Sequence, residues 1–174
     1  MIEKLLIFES TGICLFSKNY KISIKNDDDE LLTGFLAVLL GYIDTSFGQI
    51  CCIHTYEKIL LIRKTQGIYI ILISACFQQQ SIFQDEEALE ILNRRVENIC
   101  KTQLALIERK LGTLILILQQ QNEKAHNYKF SIIDLEEDLD QLISQGIQKI
   151  KIIQKLIQEK SFRVALNPPD LQTN

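Results

Sequence analysis

The chain has 174 residues, 47% of them hydrophobic and 24% charged, with a formal net charge of -3. That is the length of one domain and the composition of a globular one, which excludes wholesale disorder. A slightly acidic chain without a basic cluster also excludes nucleic acid as the main partner. The apolar content is strongly aliphatic: 28 Ile and 25 Leu stand against 8 Phe, 1 Met and no Trp.

The opening Lys4 to Phe8 predicts a short strand, Ser10-Thr11-Gly12 a turn, and Ile13 to Phe16 a second strand, together a hairpin. Asn26 as a cap candidate, followed by Asp27-Asp28-Asp29-Glu30, predicts a helix start, because carboxylates meet unpaired N–H groups at the positive dipole end. That helix is expected to run to about Phe47 and stop at Gly48. Gln49 to Tyr56, Lys58 to Lys64 and Ile68 to Phe77 then read as three strands of an antiparallel meander. The last of these is apolar at nearly every position, so it is expected to be central, with both faces covered.

From Asp85 the period changes. Leu89, Leu92, Val96, Ile99, Leu104, Ile107 and Leu111 recur at helical spacing, and Gly112 is expected to end or kink this helix. Thr113 to Leu118 fits strand or helix equally, and Gln119 to Tyr128 reads as a loop. Another helix is expected from Ser131, carrying Ile132, Leu135, Leu139, Leu142 and Ile143 on one side and interrupted at Gly146. Ile147, Ile150, Ile153, Leu156 and Ile157 continue the stripe to about Lys160, and Asn167-Pro168-Pro169 opens a loose tail. The expected architecture is α+β, an α/β sandwich in the order β-β-α-β-β-β-α-α. A five-stranded antiparallel sheet carries the first helix on one face, with the later helices on or flanking the other. The divisions are a domain at 1–146, a helical extension at 147–162 and a flexible tail at 163–174.

The same residues resemble a known family. MIEKLLIFESTGICLFSKNY resembles the start of a longin domain, an apolar strand, a tight turn with Gly12 and a second strand ending in Phe16-Ser17-Lys18. Leu31-Leu32-Thr33-Gly34-Phe35-Leu36 is similar to the start of the first longin helix, and Ser131 to Glu136 with Leu139 to Ile143 and Gly146 to the last one. The likeness, to the longin and roadblock group of profilin-like domains, covers roughly residues 1 to 146. Asp85 to Phe130 is longer than a minimal longin needs, and the helix after Gly146 is an addition. The resemblance implies a protein-binding platform used in membrane trafficking or small-GTPase regulation, dimerising with itself or with another longin or roadblock domain. With 28 residues after Gly146 and no anchor among them, a SNARE is not expected.

Chemistry is sparse. Glycines are scattered singly, so no phosphate-cradling loop is present, and no cofactor is expected. His54 and His126 lack a second ligand at metal spacing, and there is no C-x-x-C, so no metal site is expected. Cys14, Cys51, Cys52, Cys76 and Cys100, odd in number and set in apolar stretches, read as buried thiols of a reducing compartment. His54 as a base for a reactive cysteine is weighed against packing in a core or interface and yields to it, since no third orienting group can be named. Asp27 to Glu30 as a cation site yields to a solvated helix start. The N-terminal apolar run is too short for a signal peptide, and Ile68 to Ile73 falls far short of the roughly 20 residues that span a bilayer. A cytoplasmic, non-enzymatic protein is expected, at most peripheral on intracellular membranes.

The informative segment is the first helix, where Leu31 to Ile43 carry no charge. Leu31, Phe35, Val38 and Tyr42 form one stripe and Leu32, Leu36, Leu39 and Ile43 an adjacent one, an arc of roughly 200° where a packed face needs about 100°. These eight residues are the expected partner-binding site, since an uncovered apolar patch marks an interface. The alternative is that the C-terminal helices fold over them. For the helix from Ile147 to Lys160, with Lys149, Lys151, Lys155 and Lys160 opposite its stripe, packing on the helix of Asp85 to Leu111 is expected over membrane docking. The leading functional reading is a scaffold or adaptor. An exchange-factor subunit acting on a small GTPase is the alternative, and a small-molecule sensor domain the weaker one.

Overall fold

The computed structural model describes residues 1–21, 28–77, 86–120 and 128–166. The strands are β1 (Ile2–Glu9), β2 (Cys14–Asn19), β3 (Cys52–His54), β4 (Lys58–Thr65) and β5 (Ile68–Ala75); the helices are α1 (Asp29–Phe47), α2 (Glu86–Gln120), α3 (Tyr128–Ile133) and α4 (Glu136–Leu166). One five-stranded sheet runs in the order β2-β1-β5-β4-β3, and every pairing is antiparallel. This is the α+β arrangement that the longin resemblance implies, with β5 central.

Turn chemistry sets the register. Gln66 and Gly67, at φ 48° and 80°, make the two-residue turn whose twist suits a β4–β5 hairpin. Alternation along the strands then sorts the apolar residues into two layers. Leu5, Ile7, Ile68, Ile70, Leu72, Ile59 and Leu61 face Leu92, Val96, Leu104 and Ile107 of α2 with Leu139, Ile143 and Ile150 of α4. Leu6, Phe8, Tyr69, Ile71 and Ile62 face Leu36, Ala37 and Leu40 of α1. The pairing slips between Ile2 and Lys4, so Ile2 joins the α2 layer while Lys4 turns to Asp29 at the start of α1.

Several expectations change. The strand expected over Gln49 to Tyr56 is only Cys52–His54. It pairs with β4 alone, and a short edge strand offers little backbone to a stray partner. Gly112 neither ends nor breaks α2, so 113–118 is helical and the helix enters the stretch read as a loop. The last helices divide at Asp134–Leu135, not at Gly146, and α4 runs through Gly146 without interruption. That glycine serves packing: a Cβ there would stand 2.8 Å from Gln103 Cγ and 3.1 Å from Ile2 Cδ1. Ile147, Ile153 and Ile157 pack on the α2 layer as expected, while Ile152 and Leu156 stay exposed. Residues 163–166, expected to belong to the tail, continue α4, whereas His126, Asn26, Asp27 and the tail from 167 onward lie outside the described residues.

Candidate functional site

α1 begins at Asp28, whose side chain accepts from Leu31 N at 3.1 Å. Asp29 bonds Lys4, and its Oδ2 accepts from Ser17 Oγ at 2.6 Å. Thr33 Oγ1 donates to Gly12 O at 2.9 Å. At the far end Asp44 Oδ2 accepts from Lys64 Nζ at 2.8 Å and Tyr69 Oη at 2.9 Å. The Lys64 ammonium holds the Asp44 carboxyl below its ordinary value. The three described carboxylates of the acidic run, Asp28, Asp29 and Glu30, thus cap the helix or lie in its first turn. Both ends of α1 are tied to the sheet by polar bonds.

Between those ties the helix docks through two leucines and two small residues. Thr33, Leu36, Ala37 and Leu40 are buried. Gly12, at φ 95°, brings the β1–β2 turn so close that a Cβ there would lie 2.9 Å from Gly34 Cα. Four large residues face outward: Leu31 is 73% exposed, Phe35 63%, Val38 74% and Tyr42 64%. Of the other residues expected there, Leu32, Leu39 and Ile43 are half-buried and Leu36 is in the core. Phe47 extends the surface, its ring edge-on to Tyr42 with centroids 6.4 Å apart. It stands at the expected helix end, where the stripe rule has no position for it. The C-terminal helices do not cover this face, because their apolar stripes belong to the opposite layer. On the α1 layer Ile53, Leu60 and Ile73 are also only partly buried. By length and apolar composition α1 could cross a membrane, although 22% of it is buried in the protein.

The opposite layer gathers a second group. Cys52 and His54 share one face of β3, and α2 brings Glu97 to them, so that one donor atom from each lies within 4.8 Å of the others. Glu97 Oε1 is 2.6 Å from Lys101 Nζ, and Oε2 is 3.7 Å from His54 Nε2. Here the sequence reading is corrected: His54 does have neighbours with metal-binding atoms. The i, i+2 pair on an expected strand is a signal that sequence carries, whereas Glu97 comes from a distant helix. The expectation of buried thiols also fails in part, since Cys51 is exposed, Cys14, Cys52 and Cys76 are intermediate, and only Cys100 is buried. Burial pushes the Cys52 thiol up to about 11, which disfavours a thiolate nucleophile beside His54.

No family model matches the sequence, and no curated protein matches it. Among solved structures, the gliding protein MglB of Thermus thermophilus is similar at 11% identity and a TM-score of 0.38, over 42% of this chain and 61% of that one. MglB of Myxococcus xanthus is similar at 10% identity and a TM-score of 0.35, over 62% and 85%. A Roadblock/LC7 domain from Streptomyces avermitilis is similar at 8% identity and 0.34, over 42% and 66%. The match to the first of these spans less than two thirds of its length. Likeness of this degree is slight and carries no functional argument.

Proposed function

We propose that this chain is a non-catalytic protein-interaction module that pairs through the outer face of α1 with a second copy or a related domain. The pair serves as a cytoplasmic scaffold or adaptor in membrane trafficking or small-GTPase regulation, the setting that the longin resemblance implies. The observation that carries the reading is the contiguous exposed stripe of Leu31, Phe35, Val38 and Tyr42. Full burial of such a side chain contributes about 1.5–3 kcal/mol, so leaving four in water forgoes a sum comparable with the stability of a small domain. A symmetric pair buries the same stripe twice, and the partly buried Ile53, Leu60 and Ile73 widen the contact. A helix secured to the sheet by Asp29, Thr33 and Asp44 is a rigid platform, which lowers the ordering cost of association.

The test is the solution mass of the full chain by light scattering over a micromolar range, for the native sequence and for Phe35→Glu and Val38→Glu. The native chain is expected to be dimeric, and both variants monomeric with unchanged circular dichroism. A native chain that is monomeric at every concentration, or folded variants that remain paired, overturns homotypic pairing through α1. Nucleotide release from a panel of small GTPases separates the scaffold from an exchange factor, because a scaffold leaves the rate unchanged.

A further inference from the structure

On the sheet face away from α1, the geometry points to a binding site for a zinc-class divalent cation, held by Cys52, His54 and Glu97. This lies outside the pairing surface, so either reading can fail without the other. The β3–β4 register, Cys52 opposite Leu61 and His54 opposite Ile59, places both β3 residues toward α2. Lys101 engages Glu97 Oε1 at 2.6 Å, which fixes the carboxylate and turns Oε2 to His54. The 3.7 Å from Oε2 to His54 Nε2 is too long for a hydrogen bond. It matches instead the edge, about 3.3–3.8 Å, of a tetrahedron whose metal–ligand bonds are about 2.0–2.3 Å. All three donors already lie within 4.8 Å of one another, and contraction by about 1 Å is within reach of side chains as accessible as His54, which is 56% exposed.

Donor chemistry selects the ion. One sulfur, one imidazole nitrogen and one carboxylate oxygen suit Zn²⁺ or Co²⁺, whereas Ca²⁺ and Mg²⁺ prefer oxygen alone. On binding, the Cys52 Sγ–H bond breaks, an Sγ–metal bond forms and the proton passes to buffer, with no change in oxidation state. Thiolate and carboxylate then offset most of the charge of the ion, with Lys101 still paired to Glu97 Oε1. Three protein ligands leave a fourth position for water, and the ion ties a three-residue edge strand to α2.

The experiment titrates Co²⁺ into the full-length reduced chain and follows its absorption, with Zn²⁺ affinity from competition. Expected are a sulfur-to-cobalt charge-transfer band, tetrahedral d–d bands, and release of about one proton per ion. Cys52→Ser is expected to remove the charge-transfer band. His54→Gln and Glu97→Gln are each expected to weaken Zn²⁺ binding by at least about 100-fold. Cys51→Ser and Cys76→Ser should leave the spectrum unchanged, which separates a built site from adventitious thiol binding. Absence of the sulfur band in the native chain, or its persistence in Cys52→Ser, overturns the proposal. So does rapid alkylation of Cys52 at neutral pH in a chain that binds no cobalt, which would assign a nucleophile instead.

Discussion

The two faces of the sheet bury apolar residues from the same strands but meet different helices. On one face α2 and α4 turn long Leu and Ile stripes inward, and ion pairs such as Arg94–Glu90 and Lys155–Glu159 lie on their outer surfaces. On the other, α1 turns Thr33, Leu36, Ala37, Leu40 and the backbone at Gly34 toward the protein and Phe35, Val38 and Tyr42 toward water. Large apolar side chains stay exposed on both, Leu116, Ile152 and Leu156 on the α2–α4 side among them, but on α1 they are the most exposed and form one contiguous stripe. Burial therefore does not follow hydrophobicity alone: Leu36 and Leu40 enter the core, close approach of α1 to the Gly12 turn requires small residues at Gly34 and Ala37, and Phe35, Val38 and Tyr42 are left for the surface.

The largest loss is expected in the core beneath α2. Ile107 is fully buried in the α2 layer, so Ile107→Ala is expected to cost about 4 kcal/mol in urea unfolding. Phe35→Ala is expected to shift the stability of the monomer by no more than about 0.5 kcal/mol. Equal losses at the two positions would refute the distinction. On the α1 side the sensitive point is Gly12. A Cβ there meets backbone at 2.9 Å and the residue has φ 95°, so Gly12→Ala should cost about 3 kcal/mol and loosen α1, read by hydrogen exchange at Leu36 and Leu40.

Acid is expected to weaken the fold. Burial pushes the Glu3 carboxyl up, but hydrogen bonds and charge from Lys21 and Lys58 outweigh it, so its value lies below the ordinary one, as does that of Asp44. For a depressed carboxylate, stability is fully present above the unfolded value of about 4.3 and is lost as pH falls through the folded value. The share of stability these two carboxylates supply is thus expected to be level from about pH 5 upward and to drop below about 4.3. Glu3→Gln should lower the melting temperature at neutral pH by an amount worth about 2 kcal/mol and flatten the acid limb. An unchanged acid limb would mean that other groups govern it. The smallest effect is a gain. Gln103 is wholly buried and neither amide atom has a partner among the described residues, so Gln103→Met should stabilise by about 1 kcal/mol. A loss instead would mean that the amide is bonded after all.

Most of the architecture was legible locally. The continuous apolar run of β5 announced a central strand, and Leu92, Val96, Leu104, Ile107 and Leu111 announced the inward stripe of α2. The exposed stripe of α1 was legible too, as an apolar arc wider than one packed face could use. Glycines misled where they were read only as punctuation. Gly112 and Gly146 lie inside helices, and Gly146 is small because Gln103 and Ile2 press against it. A glycine that ends a helix and one that admits a neighbour look the same in a string of letters.

What the sequence determined by itself is whatever a period of 2 or 3.6 residues encodes: the strands, the helices and the amount of apolar surface each must dispose of. What only the tertiary structure decided is which side of α1 is spent on the sheet, and that Glu97 stands beside Cys52 and His54. Those outcomes depend on backbone approach and register between segments far apart in the chain, where no local period reaches.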